Sequence, residues 1–162
     1  MIRRSILVLA LVLSAACTKE YFSGPTGPTD PATQTFATAL GVDLAASTKT
    51  ASGLYYRDKV VGTGPQPAAG DTVYVRYAGY LADGLRFDYL GPNDDPLKFK
   101  LGVNAVIRGF EEGITTMRVG GQRQLVIPSG LAYGSQPRQN IPAFSNLVFD
   151  VELVAVKTPT TP

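Results

Sequence analysis

The stretch NAVIRGFEEGITTM (residues 104–117) is the one convincing helix in the chain once the N-terminal 16 residues are set aside. Apolar residues recur at intervals of three and four, which places them on one helix face: Ile107, Phe110, Ile114 and Met117. Gly109 and Gly113 interrupt this helix, although an internal glycine costs roughly 1 kcal/mol relative to alanine. Because glycine has no side chain, we expect these two positions to let the helix lie close against a sheet.

The segments on both sides of this helix predict strands, because apolar and polar residues alternate in them. In LKFKL (residues 97–101), two lysines separate Leu97, Phe99 and Leu101. Further strands are predicted in GLYYRDKVV (53–61), TVYVRYAGYL (72–81), LRFDY (85–89), QRQLVIP (122–128) and NLVFDVELVAV (146–156). The sequence therefore predicts an α+β fold, in which a single short helix covers one apolar face of an antiparallel sheet.

The N-terminal stretch MIRRSILVLALVLSAAC (residues 1–17) predicts export. Arg3 and Arg4 precede an apolar run that is too short to span a bilayer and ends at small residues, which predicts a signal peptide over 1–16. Cys17 is the only cysteine, and LSAAC resembles a bacterial lipobox, except that Ser14 stands where leucine is usual. We expect Cys17 to be lipidated and to anchor the protein to a membrane of the bacterial cell envelope. The alternative is ordinary secretion with a free thiol.

Composition divides the remaining chain into three parts. Residues 17–51 are predicted as a flexible linker after the lipidated cysteine, because 18–35 are rich in Pro, Gly, Thr and Ser. Within this linker, residues 36–50 either dock as a short helical turn or remain loose. Residues 52–157 form the predicted globular domain, and 158–162 are expected to be a disordered tail.

Charge and residue counts exclude several classes of function. The chain has no histidine, which excludes Ser-His-Asp and Cys-His catalysis and the common zinc sites. The 15 Lys and Arg residues fall to 13 when Arg3 and Arg4 are removed with the signal peptide, which equals the 13 Asp and Glu residues. A neutral mature chain lacks the basic face that nucleic-acid binding needs. We therefore expect no nucleic-acid partner, no metal and no cofactor.

Four blocks occur in order within residues 52–156: VRYAGYLADGLRFD (75–88), AVIRGFEEGI (105–114), LAYG (131–134) and IPAFSNLVFDVEL (141–153). Together they resemble the FKBP-type peptidyl-prolyl cis–trans isomerases, the macrolide-binding immunophilins. The resemblance implies a curved antiparallel sheet wrapped around one short helix. It also implies catalysed rotation about X–Pro bonds in a dry aromatic pocket. The uncatalysed barrier to this rotation is about 18–20 kcal/mol, and no bond is made or broken.

Matched residue by residue, the resemblance implies a catalytic set and a substrate-binding set. The catalytic set is Tyr77, Phe87, Asp88 and Tyr133. The substrate-binding set is Leu97, Phe99, Val106, Ile107, Phe110, Ile141 and Phe149. The Ile107 amide is expected to donate to a ligand carbonyl, as an orphan N–H at a helix start can. The strand must curl or bulge for the neighbours Phe87 and Asp88 both to face the pocket.

Several positions depart from the family pattern or leave alternatives open. Leu97 and Phe110 stand where many members have phenylalanine and tryptophan, which bears on macrolide affinity more than on isomerase activity. Phe144 either contacts substrate or packs down on the protein. Glu111 and Glu112 are adjacent on a helix and do not face each other. We expect them to be solvated or to pair with a nearby arginine such as Arg108.

The resulting prediction is an exported, lipid-anchored prolyl isomerase, monomeric by default. Its expected partners are proline-containing unfolded or exported polypeptides, with macrolides as candidate inhibitors. The alternative is a non-catalytic peptide-binding chaperone module that uses the same groove.

Overall fold

Alternating apolar side chains build one antiparallel sheet in the structure, a computed structural model that describes residues 27–159. The predicted signal peptide and Cys17 lie outside these residues. The seven strands are β1 (Thr48–Lys49), β2 (Tyr55–Val60), β3 (Thr72–Leu81), β4 (Arg86–Leu90), β5 (Leu97–Lys100), β6 (Gln122–Ile127) and β7 (Leu147–Lys157). Their order is β1-β2-β6-β7-β3-β4, and β5 pairs with β3. All six predicted strands are present, and β1 is an additional one.

The inner face of this sheet packs against one helix, α1 (Arg108–Thr115). The longest pairing joins β3 and β7, from Thr72 opposite Lys157 to Leu81 opposite Leu147. The core between the sheet and the helix contains fully buried aliphatic residues: Val73, Val75, Ile114, Leu125, Ile127 and Leu153. The predicted α+β fold is therefore confirmed. Within residues 27–159, no helix has the length and apolar character needed to cross a membrane.

The helix is shorter than the predicted range of 104–117. Gly102 and Asn104 adopt left-handed backbone conformations, with φ of 86° and 55°, and turn the chain after β5. Ile107 keeps an extended backbone, and its carbonyl accepts the first hydrogen bonds of the helix, from Phe110 and Glu111. Apolar periodicity begins before the helix because residues in the preceding turn also face the core.

The two helix glycines occupy the contact between α1 and β6. A Cβ on Gly113 would lie 2.5 Å from Leu125 Cδ2, and a Cβ on Gly109 would collide with Ile127 Cγ2. Both glycines are buried. The expectation that they permit close approach of the helix to the sheet is confirmed.

Residues 29–50, here called the N-terminal strap, pack on the outer face of the sheet. Leu40 is only 9% exposed and forms a second apolar cluster with residues of β2, β6 and β7: Tyr55, Val126 and Val148. Phe36, Ala37, Val42 and Leu44 pack against the same cluster. Residues 36–50 therefore follow the docking alternative, with a short 3-10 turn at Thr38–Leu40, because their apolar side chains meet an apolar patch on the sheet. The part of the predicted linker before residue 27 lies outside the described residues.

Polar contacts also hold the strap to the sheet. The Ala37 amide donates to the Ala82 carbonyl at 2.7 Å, and the Gln124 side-chain amide donates to the Leu40 carbonyl at 2.8 Å. Asn146 is 3% exposed, and its side-chain nitrogen donates to the Thr29 carbonyl at 2.9 Å. These bonds satisfy polar groups that the strap would otherwise bury without partners.

A buried arginine joins the end of α1 to the sheet. Arg123 is 4% exposed and donates from Nε and Nη2 to Asp58 at 2.7 and 2.9 Å. Its Nη1 donates to the Gly113 carbonyl at 2.8 Å, near the helix C-terminus. The guanidinium also lies 4.2 Å from the Tyr56 ring centroid. The bidentate geometry compensates the cost of burying this charge.

The two helix carboxylates serve the fold. Glu111 accepts a hydrogen bond from the Gly102 amide, and Glu112 accepts one from the Ser52 hydroxyl at 2.8 Å. Among the described residues, neither forms an ion pair with Arg108, so that predicted alternative is wrong. Glu111 thus joins α1 to the turn after β5, and Glu112 joins α1 to the segment before β2.

Candidate active site

A cavity of about 210 Å³ opens between the start of α1 and the strands β3, β4 and β7. Its lining is mostly aromatic and aliphatic: Tyr77, Phe87, Asp88, Ala105, Val106, Ile107, Phe110, Tyr133 and Phe149. Eight of these nine residues belong to the predicted site, and Ala105 is the addition. Residues from four separate parts of the chain therefore meet at one point.

The aromatic rings of the cavity contact one another edge to face. Phe110 lies 5.5 Å from Tyr77 and 5.1 Å from Phe149, measured between ring centroids. Phe87 lies 5.6 Å from Phe149 at an angle of 85°. Edge-to-face contacts of this kind favour a single arrangement of the rings, so the cavity has rigid apolar walls.

Gly79 in β3 makes room for two of these rings. A Cβ at this position would lie 2.8 Å from Phe149 Cε1 and 2.8 Å from Phe87 Cζ. Any side chain here would displace a wall of the cavity. Gly79 lies within the motif VRYAGYLADGLRFD, but the motif does not indicate this role, because the two rings meet Gly79 only in the folded sheet.

A β-bulge brings two neighbouring residues of β4 to the cavity. Gly79 pairs with Asp88, whereas the next residue, Tyr80, pairs with Arg86, so Phe87 is the extra residue. Both Phe87 and Asp88 line the cavity. The predicted bulge is confirmed, and it explains how adjacent residues of one strand reach the same side of a sheet.

Asp88 lies at the mouth of the cavity with both carboxylate oxygens engaged. The Tyr77 hydroxyl donates to Oδ2 at 2.6 Å, and the Tyr89 amide donates to Oδ1 at 2.8 Å. Burial, and next the hydrogen bond to Asp88, raises the pKa of Tyr77 well above its ordinary value. Tyr77 therefore stays protonated and holds the carboxylate in one orientation.

Two hydrogen-bond donors at the cavity have no partner among residues 27–159. The first is the Ile107 amide, which precedes the first turn of α1 and lines the cavity. The second is the Tyr133 hydroxyl, on the segment that follows the 3-10 turn Ser129–Leu131. Donors of this type that face an apolar cavity are suited to binding carbonyl oxygens.

The structure places three other predicted site residues outside this lining. Phe99 is buried behind Phe110, with 6.2 Å between the ring centroids. Leu97 packs against the core beside it. Ile141 lines an adjoining cavity of about 190 Å³, which shares Phe87, Asp88 and Tyr133 with the first. Phe144 lines neither cavity and is half-buried, which favours the packing alternative.

A cavity of about 270 Å³ on the outer face of the sheet differs in character. Its lining includes the ion pair between Lys59 and Asp150, with Nζ and Oδ1 2.7 Å apart, and also Arg76 and Glu152. It shares only Tyr77 with the aromatic cavity. The apolar cavity on the inner face is therefore the better candidate for recognising a proline ring.

Comparison with known proteins agrees with this geometry. A family model described as FKBP-type peptidyl-prolyl cis-trans isomerase matches residues 64–154. The FK506-binding protein 4 of Mycosarcoma maydis is 48% identical over 111 residues, which cover 68% of this chain and 29% of that protein. The FKBP-type peptidyl-prolyl cis-trans isomerase FkpA of Aeromonas hydrophila is 44% identical over 122 residues, covering 72% of this chain and 45% of that one. The chain thus spans less than half the length of both relatives.

A solved structure extends the comparison to the fold. The crystal structure of a peptidyl-prolyl cis-trans isomerase from Pseudomonas syringae pv. tomato str. DC3000 superimposes with a TM-score of 0.63 and is 38% identical. The match covers 70% of this chain and 82% of that chain. The family model, the identities and the shared fold lead to one conclusion: the chain belongs to the FKBP-type peptidyl-prolyl cis–trans isomerase family.

Proposed function

We propose that the chain catalyses cis–trans isomerisation of X–Pro bonds in the aromatic cavity. The observation that carries this proposal is a ring-lined cavity of about 210 Å³ that is also lined by Ile107, whose amide has no hydrogen-bond partner within residues 27–159. Drug-sized pockets usually measure about 300–1,000 Å³. The smaller volume here suits one side chain of the size of proline.

The reaction needs binding groups and no nucleophile. In the transition state the amide is twisted, and its resonance and much of its polarity are lost. Apolar walls such as Phe110 and Phe149 favour this form because they solvate the planar, more polar ground state poorly. The Ile107 amide and the Tyr133 hydroxyl hold substrate carbonyls in position. In this proposal Asp88, oriented by Tyr77, faces the twisted amide.

We also propose the setting in which this activity is used. The N-terminal sequence supports export and lipidation of Cys17, and hence attachment to a membrane of a bacterial cell envelope. The substrates are then exported polypeptides that fold near that membrane. Mass spectrometry of the purified mature protein tests this step, because a lipidated Cys17 at the N-terminus gives a mass that a free thiol does not.

NMR exchange spectroscopy on the peptide Ala-Leu-Pro-Phe tests the activity directly. The protein is expected to raise the cis–trans exchange rate in proportion to its concentration. Asp88→Ala and Tyr133→Phe are expected to lower kcat/KM by about ten-fold or more, the scale of one lost transition-state contact. Asp95→Ala and Tyr89→Phe are the matched controls, because both side chains are exposed outside the aromatic cavity.

The same experiment separates catalysis from binding alone. Peptide resonances that shift on titration without faster exchange identify a non-catalytic binding module, and refute the proposed enzyme. Catalysis by both Asp88→Ala and Tyr133→Phe at the wild-type rate shows that these residues do not have the proposed roles.

A further inference from the structure

The adjoining cavity extends the aromatic cavity into a groove. Its volume is about 190 Å³, and its shared wall consists of Phe87, Asp88 and Tyr133. The rest of its lining comes from residues 138–141, which follow Tyr133 in the chain. A peptide with its proline in the aromatic cavity would place a neighbouring residue in this second cavity, because consecutive residues of an extended chain lie only about 3.3–3.6 Å apart.

The rim of the second cavity carries a positioned cation. Arg138 and Ile141 exchange two backbone hydrogen bonds, of 2.9 and 3.0 Å, which close a tight turn. The Arg138 guanidinium lies 5.3 Å from the ring centroid of Tyr133. A cation–π contact at this distance keeps the side chain over the ring. Arg138 is thus held beside the groove by both its backbone and its side chain.

The charge of Arg138 is available to a ligand. Within residues 27–159 it forms no ion pair. The only other charged residue that lines the second cavity is Asp88. Its two carboxylate oxygens already accept hydrogen bonds from Tyr77 and the Tyr89 amide. Among the described residues that line this cavity, Arg138 is therefore the one charged group without a partner.

We propose that Arg138 is a specificity-determining residue that favours substrates with an acidic residue next to the proline. This inference rests on the proposed binding of proline in the aromatic cavity. A glutamate side chain entering the second cavity would meet the guanidinium of Arg138, which has no ion-pair partner within residues 27–159. Because Arg138 is exposed, solvent weakens the pairing. The expected gain is therefore about three-fold, and it falls as salt concentration rises.

The test compares peptides that differ only in charge. The pairs are Ala-Glu-Pro-Phe with Ala-Gln-Pro-Phe, and Ala-Leu-Pro-Glu with Ala-Leu-Pro-Gln, so both neighbours of the proline are covered. For each pair, kcat/KM comes from NMR exchange and Kd from chemical-shift titration. Wild type is expected to prefer the glutamate peptide about three-fold in at least one pair, with the preference lost at about 1 M salt.

Three variants identify the residue responsible. Arg138→Gln is expected to bring the ratio to about one, and Arg138→Lys to retain most of it. Lys100→Gln removes the same charge from an exposed site outside both cavities and is expected to leave the ratio unchanged. A ratio near one in wild type, or a preference that survives Arg138→Gln, overturns the inference. If no peptide is isomerised, the proposed function fails, and the Kd ratios still decide the role of Arg138.

Discussion

Adding one methyl group at Gly109 is expected to destabilise the protein, although alanine is the better helix former. The added Cβ would collide with Ile127 Cγ2 and would lie 3.2 Å from Leu131 Cβ. Ile127 is fully buried and β-branched, so its Cγ2 cannot move far without shifting β6. Overpacking of this kind costs about 2–3 kcal/mol, and the gain in helix propensity offsets about 1 kcal/mol. The expected net loss is about 1–2 kcal/mol in the free energy of unfolding.

Urea denaturation followed by far-UV circular dichroism measures this loss. For a denaturant slope of about 1.5 kcal/mol/M, the midpoint is expected to fall by about 1 M. Tyrosine fluorescence is the second probe, since the chain has no tryptophan. Activity should fall as well, because a displaced α1 moves Ile107 and Phe110 at the cavity.

Two further glycines make the prediction specific. Gly130→Ala is the control, because a Cβ there meets nothing within 4 Å, and its stability is expected to be unchanged or higher. Gly113→Ala should also destabilise the protein, because its Cβ would lie 2.5 and 2.7 Å from the two Cδ atoms of the fully buried Leu125. A Gly109→Ala protein as stable as Gly130→Ala would refute the close-packing argument.

Three other predictions follow from the packing. Leu40→Ala is expected to lower the free energy of unfolding by about 2 kcal/mol, measured in urea, because the strap is part of the core; no change would show that the strap is dispensable. Asp58→Ala should lower the free energy of unfolding by about 2–3 kcal/mol, because it leaves Arg123 buried without its partner. Asp150→Ala breaks a half-exposed ion pair and should lower the free energy of unfolding by under about 1 kcal/mol. In an alkaline absorbance titration Tyr77 should ionise well above the ordinary pKa of a tyrosine, and Tyr77→Phe should remove that step. Since its folded-state pKa exceeds the unfolded value of about 10, the stability Tyr77 contributes is complete below pH 10 and declines above it.

Local sequence patterns determined the elements of this fold. The alternation in residues 72–81 and 97–101 predicted β3 and β5, because the side-chain period of a strand is a property of neighbouring residues. The helix was predicted with its glycine contacts, yet its start was placed too early. The left-handed turn at Gly102 and Asn104 depends on how the chain leaves β5. The spacing of apolar residues along the helix carries no information about that turn.

For the N-terminal strap, by contrast, local sequence patterns do not predict the observed packing. Pro, Gly and Thr make residues 27–35 resemble a linker, and the apolar residues of 36–50 have no clear period. Their docking depends on an apolar patch formed by Tyr55, Val126 and Val148, which lie far away in sequence. A patch of this kind exists only after the sheet has formed.

The candidate site combines both kinds of information. The sequence by itself, through its resemblance to a family, named Tyr77, Asp88 and Ile107, and the structure brings their side chains or backbone to one cavity. Only the tertiary structure showed that Phe99 lies behind Phe110, and that Arg138 borders a second cavity. The physical reason is that periodicity and motifs report on neighbouring residues, whereas a cavity is the space left between elements that pack from distant parts of the chain.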